Sequence, residues 1–347
     1  MRSDLRRFLL DSGASEAEID RALAEGWLPL LALDRLALPG VPSHDIAQVA
    51  ALADTDEETI RRLWRAVGFP DAPEGLAVYT DADVDAARRL RSGAFAQRSE
   101  EATVLRQVRV ISSAMSRVAA VLAEYYGDEI RELRAQGLDE ETVAATIVDD
   151  FNGEELAVLL VYVTRLQLRA AVWRRLSRDA VPDLAVAVGF ADLAGYTTLS
   201  EELDSDQLAA FLGRWEALLY DTVARHGGRV VKTIGDEVMF AGLSPNVARI
   251  AIALRDAARE QELPPVRSGI AAGMVISRDG DIYGPVVNLA SRLTEIAPAG
   301  SIYASDALHA DLADDASFTW AVVGNREVRS IGSVEVYCLL GGEELPT

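Results

Sequence analysis

Through residues 1 to 180 the apolar positions recur at helical spacing, in runs rich in Ala, Leu, Arg and Glu. Gly and Pro punctuate these runs at Pro39, Gly40, Pro42, Pro70 and Pro73. The pattern predicts a mostly α domain over residues 1–155 and a linker helix over 156–182. From Asp183 the texture changes to short β-prone runs alternating with helices. DLAVAVGFAD, GGRVVKTIGDEVMF, VRSGIAAGMVI, SIYAS, SFTWAVV and VEVYCLL read as strands, with helices near 205–226, 245–260 and 285–296. This order predicts an α+β domain over 183–347, one sheet with helices against one face, and a hairpin turning at Gly-Asp-Glu.

Within the first half, HDIAQVAALADTDEETIRRLWRAVGF reads as two helices around a short turn, and VYTDADVDAARRLR as a third that Thr80 can cap. The order resembles the helix-turn-helix of MerR-type regulators. From Asp45 to Arg91, however, six arginines face ten acids, a balance of -4, where a DNA reader needs a basic face. A protein-interaction module is the better expectation, and nucleic acid is not an expected partner. Further on, Leu156, Leu159, Val163, Leu166, Ala170 and Trp173 alternate spacings of three and four, which lays them along one helical seam. Leu160, Val161 and Leu168 widen that stripe. The helix therefore either joins the two domains or packs in the core of the first half.

Composition narrows the partners. Fifty-five acids against 34 basic residues leave a net charge of -21, a field that repels polyphosphate chains unless local cations or metals intervene. The single Cys338 lies in the apolar run VEVYCLL and reads as a small buried hydrophobe. MRSDLRRFLLDSG lacks a signal-peptide core, and the most apolar segment, LAVLLVYVTRLQLRAAVW, is interrupted by Arg165 and Arg169. A cytoplasmic protein with no membrane span is expected. His44, His226 and His309 match no nucleophile or metal pattern.

The chemistry concentrates in the second half. GFADLAGYTTLS sets Asp192 at the end of an apolar strand and Gly195 before a helix, a turn that offers N–H groups to phosphate and a carboxylate to a metal. KTIGDEVMF places Asp236 in a tight turn, beside Asp192 if their strands are neighbours. Two such carboxylates can hold a pair of metal ions that activate a hydroxyl and neutralise a triphosphate. DIYGPVVNLASRL carries Asn288 and Arg292 at i and i+4, on one helical face, with Asp281 seven residues before Asn288.

FADLAGYT, GGRVVKTIGDEVMF and DIYGPVVNLASR together resemble the signature blocks of class III nucleotidyl cyclases, in order and at the family's approximate spacing. The resemblance covers about the last 165 residues and implies a βαββαβ-type sheet. It implies that Asp192 and Asp236 bind two Mg²⁺ or Mn²⁺ ions, assisted by the carbonyl of Leu193. Lys232 and Asp281 are implied to read adenine, an ammonium donating to N1 and a carboxylate accepting from the exocyclic amine. Guanylate cyclases carry Glu and Cys there. Asn288 is implied to orient the ribose and Arg292 to stabilise charge on the α-phosphate. Gly195 and Thr197 fall among the substrate-binding positions.

Two departures accompany the match. Tyr196 stands where the family often has Phe, and Arg329, in EVRSIGSVEVY, is an inexact candidate for the terminal phosphates beside its reading as a solvated arginine. The implied activity is conversion of ATP to cyclic AMP and pyrophosphate at a homodimer interface. The first half also resembles the helical region of some actinobacterial cyclases that restrains the catalytic dimer and responds to pH, which implies inhibition relieved under a particular condition. The alternatives are a nucleotide-sensing transcriptional regulator, an inactive cyclase-like protein, and a diguanylate cyclase, whose Gly-Gly-Asp-Glu-Phe turn IGDEVMF resembles. Lys232, Asn288 and Arg292 argue against the last.

Overall fold

The computed structural model describes residues 3–38, 40–92, 100–180 and 186–342. Pro39 and Asp183 lie outside the described residues. The chain divides into two compact units, Met1–Ala171 and Val172–Thr347.

The first unit is helical: α1 (Ser3–Asp11), α2 (Glu16–Glu25), α3 (Leu28–Ala37), α4 (Ile46–Leu52), α5 (Glu57–Val67), α6 (Asp81–Ser92), α7 (Glu101–Ala135) and α8 (Glu140–Asp150), with α9 (Gly153–Ala180) running on into the second unit. Side-chain caps start these helices where the sequence supplies them. Ser15 with Glu18 and Asp45 with Gln48 form capping boxes on α2 and α4, and Asp56 accepts from the Thr59 N–H on α5. One core joins Leu9, Ile19, Leu28 and Ala144, and a second joins Val49, Ile60, Tyr79 and Val84 across α4 to α6. The second core is the helix-turn-helix-like module. Five of its six arginines are occupied by neighbours: Arg61 by Glu57, Arg62 by Glu101, Arg65 by Asp71, Arg88 by Asp85 and Arg91 by Asp54.

The seam helix α9 is not a core helix of this unit. Leu159, Val163, Leu166 and Trp173 are all exposed, as are Val158, Val161, Tyr162 and Leu168 around the other sides. By length and composition alone, Gly153–Trp173 is also apolar enough to cross a membrane.

The second unit is built on strands β1 (Val186–Leu193), β2 (Arg229–Ile234), β3 (Glu237–Leu243), β4 (Val266–Gly273), β5 (Ile276–Arg278), β6 (Asp281–Tyr283), β7 (Ile302–Ser305), β8 (Phe318–Val328) and β9 (Gly332–Gly342). Between them lie α10 (Tyr196–Glu202), α11 (Ser205–Arg225), α12 (Ser244–Glu260), α13 (Pro285–Ile296) and α14 (Asp306–Leu312). Seven strands form one sheet in the order β2-β3-β1-β4-β7-β9-β8, while β5 and β6 make a separate hairpin. Every pairing in the large sheet is antiparallel except β4 with β7.

Helices cover both faces, which corrects the one-face expectation. Trp215, Leu219, Ile250, Leu254 and Leu308, from α11, α12 and α14, pack over Ala187, Phe240 and Ile270. On the opposite face Val286 and Ala290 of α13 pack over Val188, Phe190, Met239 and Ala271. Alternation along each strand supplies apolar residues to both sides, as burial on both faces requires. Cys338 is half-buried on β9 rather than sealed in the core.

The seating of α13 depends on a missing side chain. A Cβ at Gly269 of β4 would lie 2.2 Å from the carbonyl oxygen of Ala290 and 2.3 Å from the amide nitrogen of Thr294. Helix and strand therefore touch backbone to backbone. Thr294 adds a hydroxyl bond to the Ala290 carbonyl at 3.0 Å. Gly269→Ala is expected to destabilise the domain by about 1–3 kcal/mol or more, because backbone atoms must move apart. Urea unfolding of the two proteins measures the difference, and a midpoint equal to wild type would refute the close approach.

Candidate active site

Asp192 and Asp236 meet because their strands are neighbours. β1 lies between β3 and β4, so the end of β1 reaches the two-residue turn joining β2 to β3. Gly235 enters that turn at φ +62, a left-handed geometry at the first central position that glycine adopts without steric cost. Asp236 follows, and its Oδ2 accepts the Leu193 N–H at 3.1 Å. Burial, reinforced by hydrogen bonding and repulsion from Asp192, pushes the Asp236 carboxyl up to about 7, against the pull of backbone N–H groups. Glu237, next along, is also raised, by burial first and then by Asp192 and Glu295.

A cation missed in the sequence completes the pair. Arg267 of β4 lies opposite Asp192 in the strand register. Its Nε donates to Asp192 Oδ2 at 2.8 Å, and its Nη2 donates to the same oxygen. The one available signal was an arginine inside an otherwise apolar strand, VRSGIAAG.

This donor set suits a hard divalent cation. Two oxygen-only side chains stand together, partly withdrawn from water; their mutual repulsion helps to raise the Asp236 carboxyl, and the Arg267 guanidinium offsets the charge of Asp192. Among the described residues no group of three or more His, Cys, Asp and Glu side chains could hold a metal. Carbonyl and phosphate oxygens would have to supply the remaining ligands.

Gly195, at φ +85, is the N-cap of α10, and Thr197 is exposed in the first turn of that helix, whose N–H groups lack helical acceptors. The helix starts at Tyr196, whose ring stacks on Phe211 at 6.2 Å between centroids.

Lys232 and Asp281 form a second constellation. The β5–β6 hairpin brings Asp281 to β2, where Lys232 Nζ donates to Asp281 Oδ2 at 2.6 Å while Oδ1 accepts the Ile282 N–H at 2.8 Å. Burial works to raise the Asp281 carboxyl, but the Lys232 and Ile282 bonds and nearby positive charge hold it below the usual range. Asn288 is exposed on α13, and Arg292, one turn later, pairs with Glu295. No hydrogen bond or ion pair among the described residues joins Lys232, Asp281, Asn288 or Arg292 to Asp192 or Asp236. Arg329 belongs to neither group. It is exposed in the β8–β9 turn, beyond four strand pairings from β1 and at the opposite end of the sheet from Asp192.

Residues 180–341 match the model of the adenylate and guanylate cyclase catalytic domain. An adenylate cyclase of Streptomyces coelicolor is 36% identical over 287 residues, spanning 81% of this chain and 75% of that protein. One from Glutamicibacter nicotianae is 33% identical over 345 residues, spanning 90% and 82%. A pH-sensitive adenylate cyclase of Mycobacterium tuberculosis is 29% identical over 352 residues, spanning 97% and 87%. The similarity to these relatives thus extends through the helical half as well as through the strands that carry the paired aspartates. The chain belongs to the class III adenylate and guanylate cyclase family and is, within it, an adenylate cyclase.

Proposed function

We propose that this adenylate cyclase works as a cytoplasmic homodimer, with two divalent metal ions at Asp192 and Asp236 of one subunit and the base- and ribose-binding side chains supplied by the other. The observation that carries the reading is the Asp192–Asp236 pair, a half-buried negative site with oxygen donors only. Mg²⁺ or Mn²⁺ bound there lowers the pKa of the ribose 3′-hydroxyl and offsets the triphosphate charge. The Leu193 carbonyl is the further ligand the family suggests. In the reaction the 3′-oxygen attacks the α-phosphorus, its proton leaves, and the bond to the bridging oxygen breaks to release pyrophosphate.

The remaining residues divide by chemistry. Lys232 donates to adenine N1 and Asp281 accepts from the amine, a role their 2.6 Å pairing already sets up by holding opposite charges side by side. Asn288 orients the ribose, and Arg292 turns from Glu295 to the α-phosphate. With a metal held at Asp192, Arg267 would be free to face the phosphates and would supply them with a cation. Gly195 and Thr197 lend the start of α10 to the same phosphates.

Two further observations favour a second copy. The two constellations are not joined within one chain, and α9 is apolar around most of its circumference yet exposed, a pattern that belongs in a core. Burial between subunits suits α9 better than lipid, because Arg165 and Arg169 sit within the stretch and each costs roughly 2.5–3.5 kcal/mol at mid-bilayer. Through this helix the first unit is suited to control the second, and the pH-sensitive relative makes pH the candidate condition. The occupied arginines of the helix-turn-helix-like module favour protein contacts over nucleic acid.

Asp192→Ala and Asp236→Ala should each lower cyclic AMP formation about a thousandfold or more, roughly 4 kcal/mol of transition-state stabilisation. Mixing Asp192→Ala with Arg292→Ala subunits should restore activity. If subunits exchange and no activity returns, the shared site is wrong. Replacing Lys232 by Glu together with Asp281 by Cys should erode the preference for ATP over GTP without weakening metal binding, and an unchanged preference would count against the base-reading pair. Comparing the full chain with one starting at Arg178 across pH tests control, which superimposable profiles would exclude. Finally, the raised Asp236 carboxyl contributes stability that is present below about 3.9, its unfolded value, and is lost as pH rises through about 7. With metal chelated, wild type should therefore lose melting temperature relative to Asp236→Asn over that window. Parallel curves would show that the proton is not held.

A further inference from the structure

Asp236 is held at both ends, and only one hold comes from the strands. In a two-residue hairpin the flanking residues, here Ile234 and Glu237, pair across the ladder, while the carbonyls inside the turn have no ladder partner. The Asp236 carbonyl nonetheless accepts a hydrogen bond. Trp215 Nε1, from the middle of α11, donates to it at 2.8 Å.

This indole is a costly donor to place by chance. Trp215 is 1% exposed and packs in the main core with Phe211, Leu219 and Val223. Its ring is fixed by packing, so its N–H points in one direction only, and an indole has no other polar atom to offer. The helix itself is anchored at its start by the Asp204–Gln207 capping box. Thus the turn is tied to α11 through its main chain and to β1 through the Asp236 carboxylate on the Leu193 N–H. Losing the indole bond frees the turn to rotate, and rotation carries the carboxylate away from Asp192.

We infer that Trp215 is a positioning residue for the metal site, its buried indole N–H fixing the turn that aims Asp236. The inference rests on the reading of Asp236 as a metal carboxylate. Trp215 touches neither metal nor nucleotide in this role, and acts through the main chain of Asp236.

The test uses the full chain and Mn²⁺ alone, measured by the loss of free-ion signal in electron paramagnetic resonance without nucleotide. Trp215→Phe keeps an aromatic ring and deletes the donor. It should weaken Mn²⁺ binding roughly ten- to hundredfold, the range for lost outer-shell partners. In assays the half-saturating metal concentration should rise in step, while kcat at saturating metal changes less. Leu219→Ala, which damages the same core without touching the turn, should leave Mn²⁺ affinity unchanged. Wild-type affinity in Trp215→Phe, or equal weakening in Leu219→Ala, would overturn the inference. Asp236→Ala separates the two levels: if it binds Mn²⁺ as wild type does, the metal reading itself fails. Should Trp215→Phe not fold, the indole N–H signals of the five tryptophans in the ¹⁵N-labelled wild type decide instead. One of them should shift on adding Mg²⁺ and stay still in Asp236→Ala. No responsive indole would end the proposal.

Discussion

Two carboxylates placed within hydrogen-bonding reach of each other repel, and the second unit is arranged around making that juxtaposition tolerable. Asp192 ends β1, Asp236 turns the neighbouring hairpin, and each is held by groups outside the pair. Arg267 neutralises one, and the Leu193 N–H steadies the other. Partial burial raises the Asp236 carboxyl and with it the demand for a compensating positive charge. The order of strands makes the arrangement possible. Only with β1 between β3 and β4 can one aspartate meet both the hairpin turn and the arginine.

Much of this arrangement was legible in the sequence, for identifiable reasons. The Gly235-Asp236 dipeptide between two apolar runs marks a hairpin whatever the surroundings, and Asn288 and Arg292 share a face wherever their helix lies. The three main helices of the second half appear close to their predicted limits because each is long and strongly amphipathic. What escaped depends on which strands lie side by side. Arg267 is 75 residues from Asp192 in the chain, and nothing local says that β4 returns beside β1. The same limit hid the second covered face. Periodicity shows that α13 has an apolar side but not which side of the sheet receives it.

In the helical half, the sequence left α9 between two readings, and exposure separates them. A helix packed within its own unit hides its apolar stripe, whereas α9 leaves apolar side chains exposed around most of its circumference, with only Leu156, Leu160 and Ala170 partly covered. The long helix α7 adds exposed Val110, Ile111, Met115, Val121 and Tyr125. Such surface is more than a lone soluble unit ordinarily presents. The helix-turn-helix-like module has the opposite character, with most of its arginines engaged and its core closed. The two parts of the first unit are therefore differently suited to association.

The cations of the catalytic unit share a habit. Lys232 is paired with Asp281, Arg267 with Asp192 and Arg292 with Glu295. A site whose every named cation already has an anion offers little to a stray phosphate or a free carboxylate, since any such visitor must first evict a resident. A nucleotide arriving with its own divalent cation differs, because it brings both signs of charge and can exchange partners on each side at once. The consequence is a selectivity against the commonest small anions of the cell that needs no steric gate. It also means that binding exchanges one set of partly exposed pairings for another, so that no single pair has to supply a large energy.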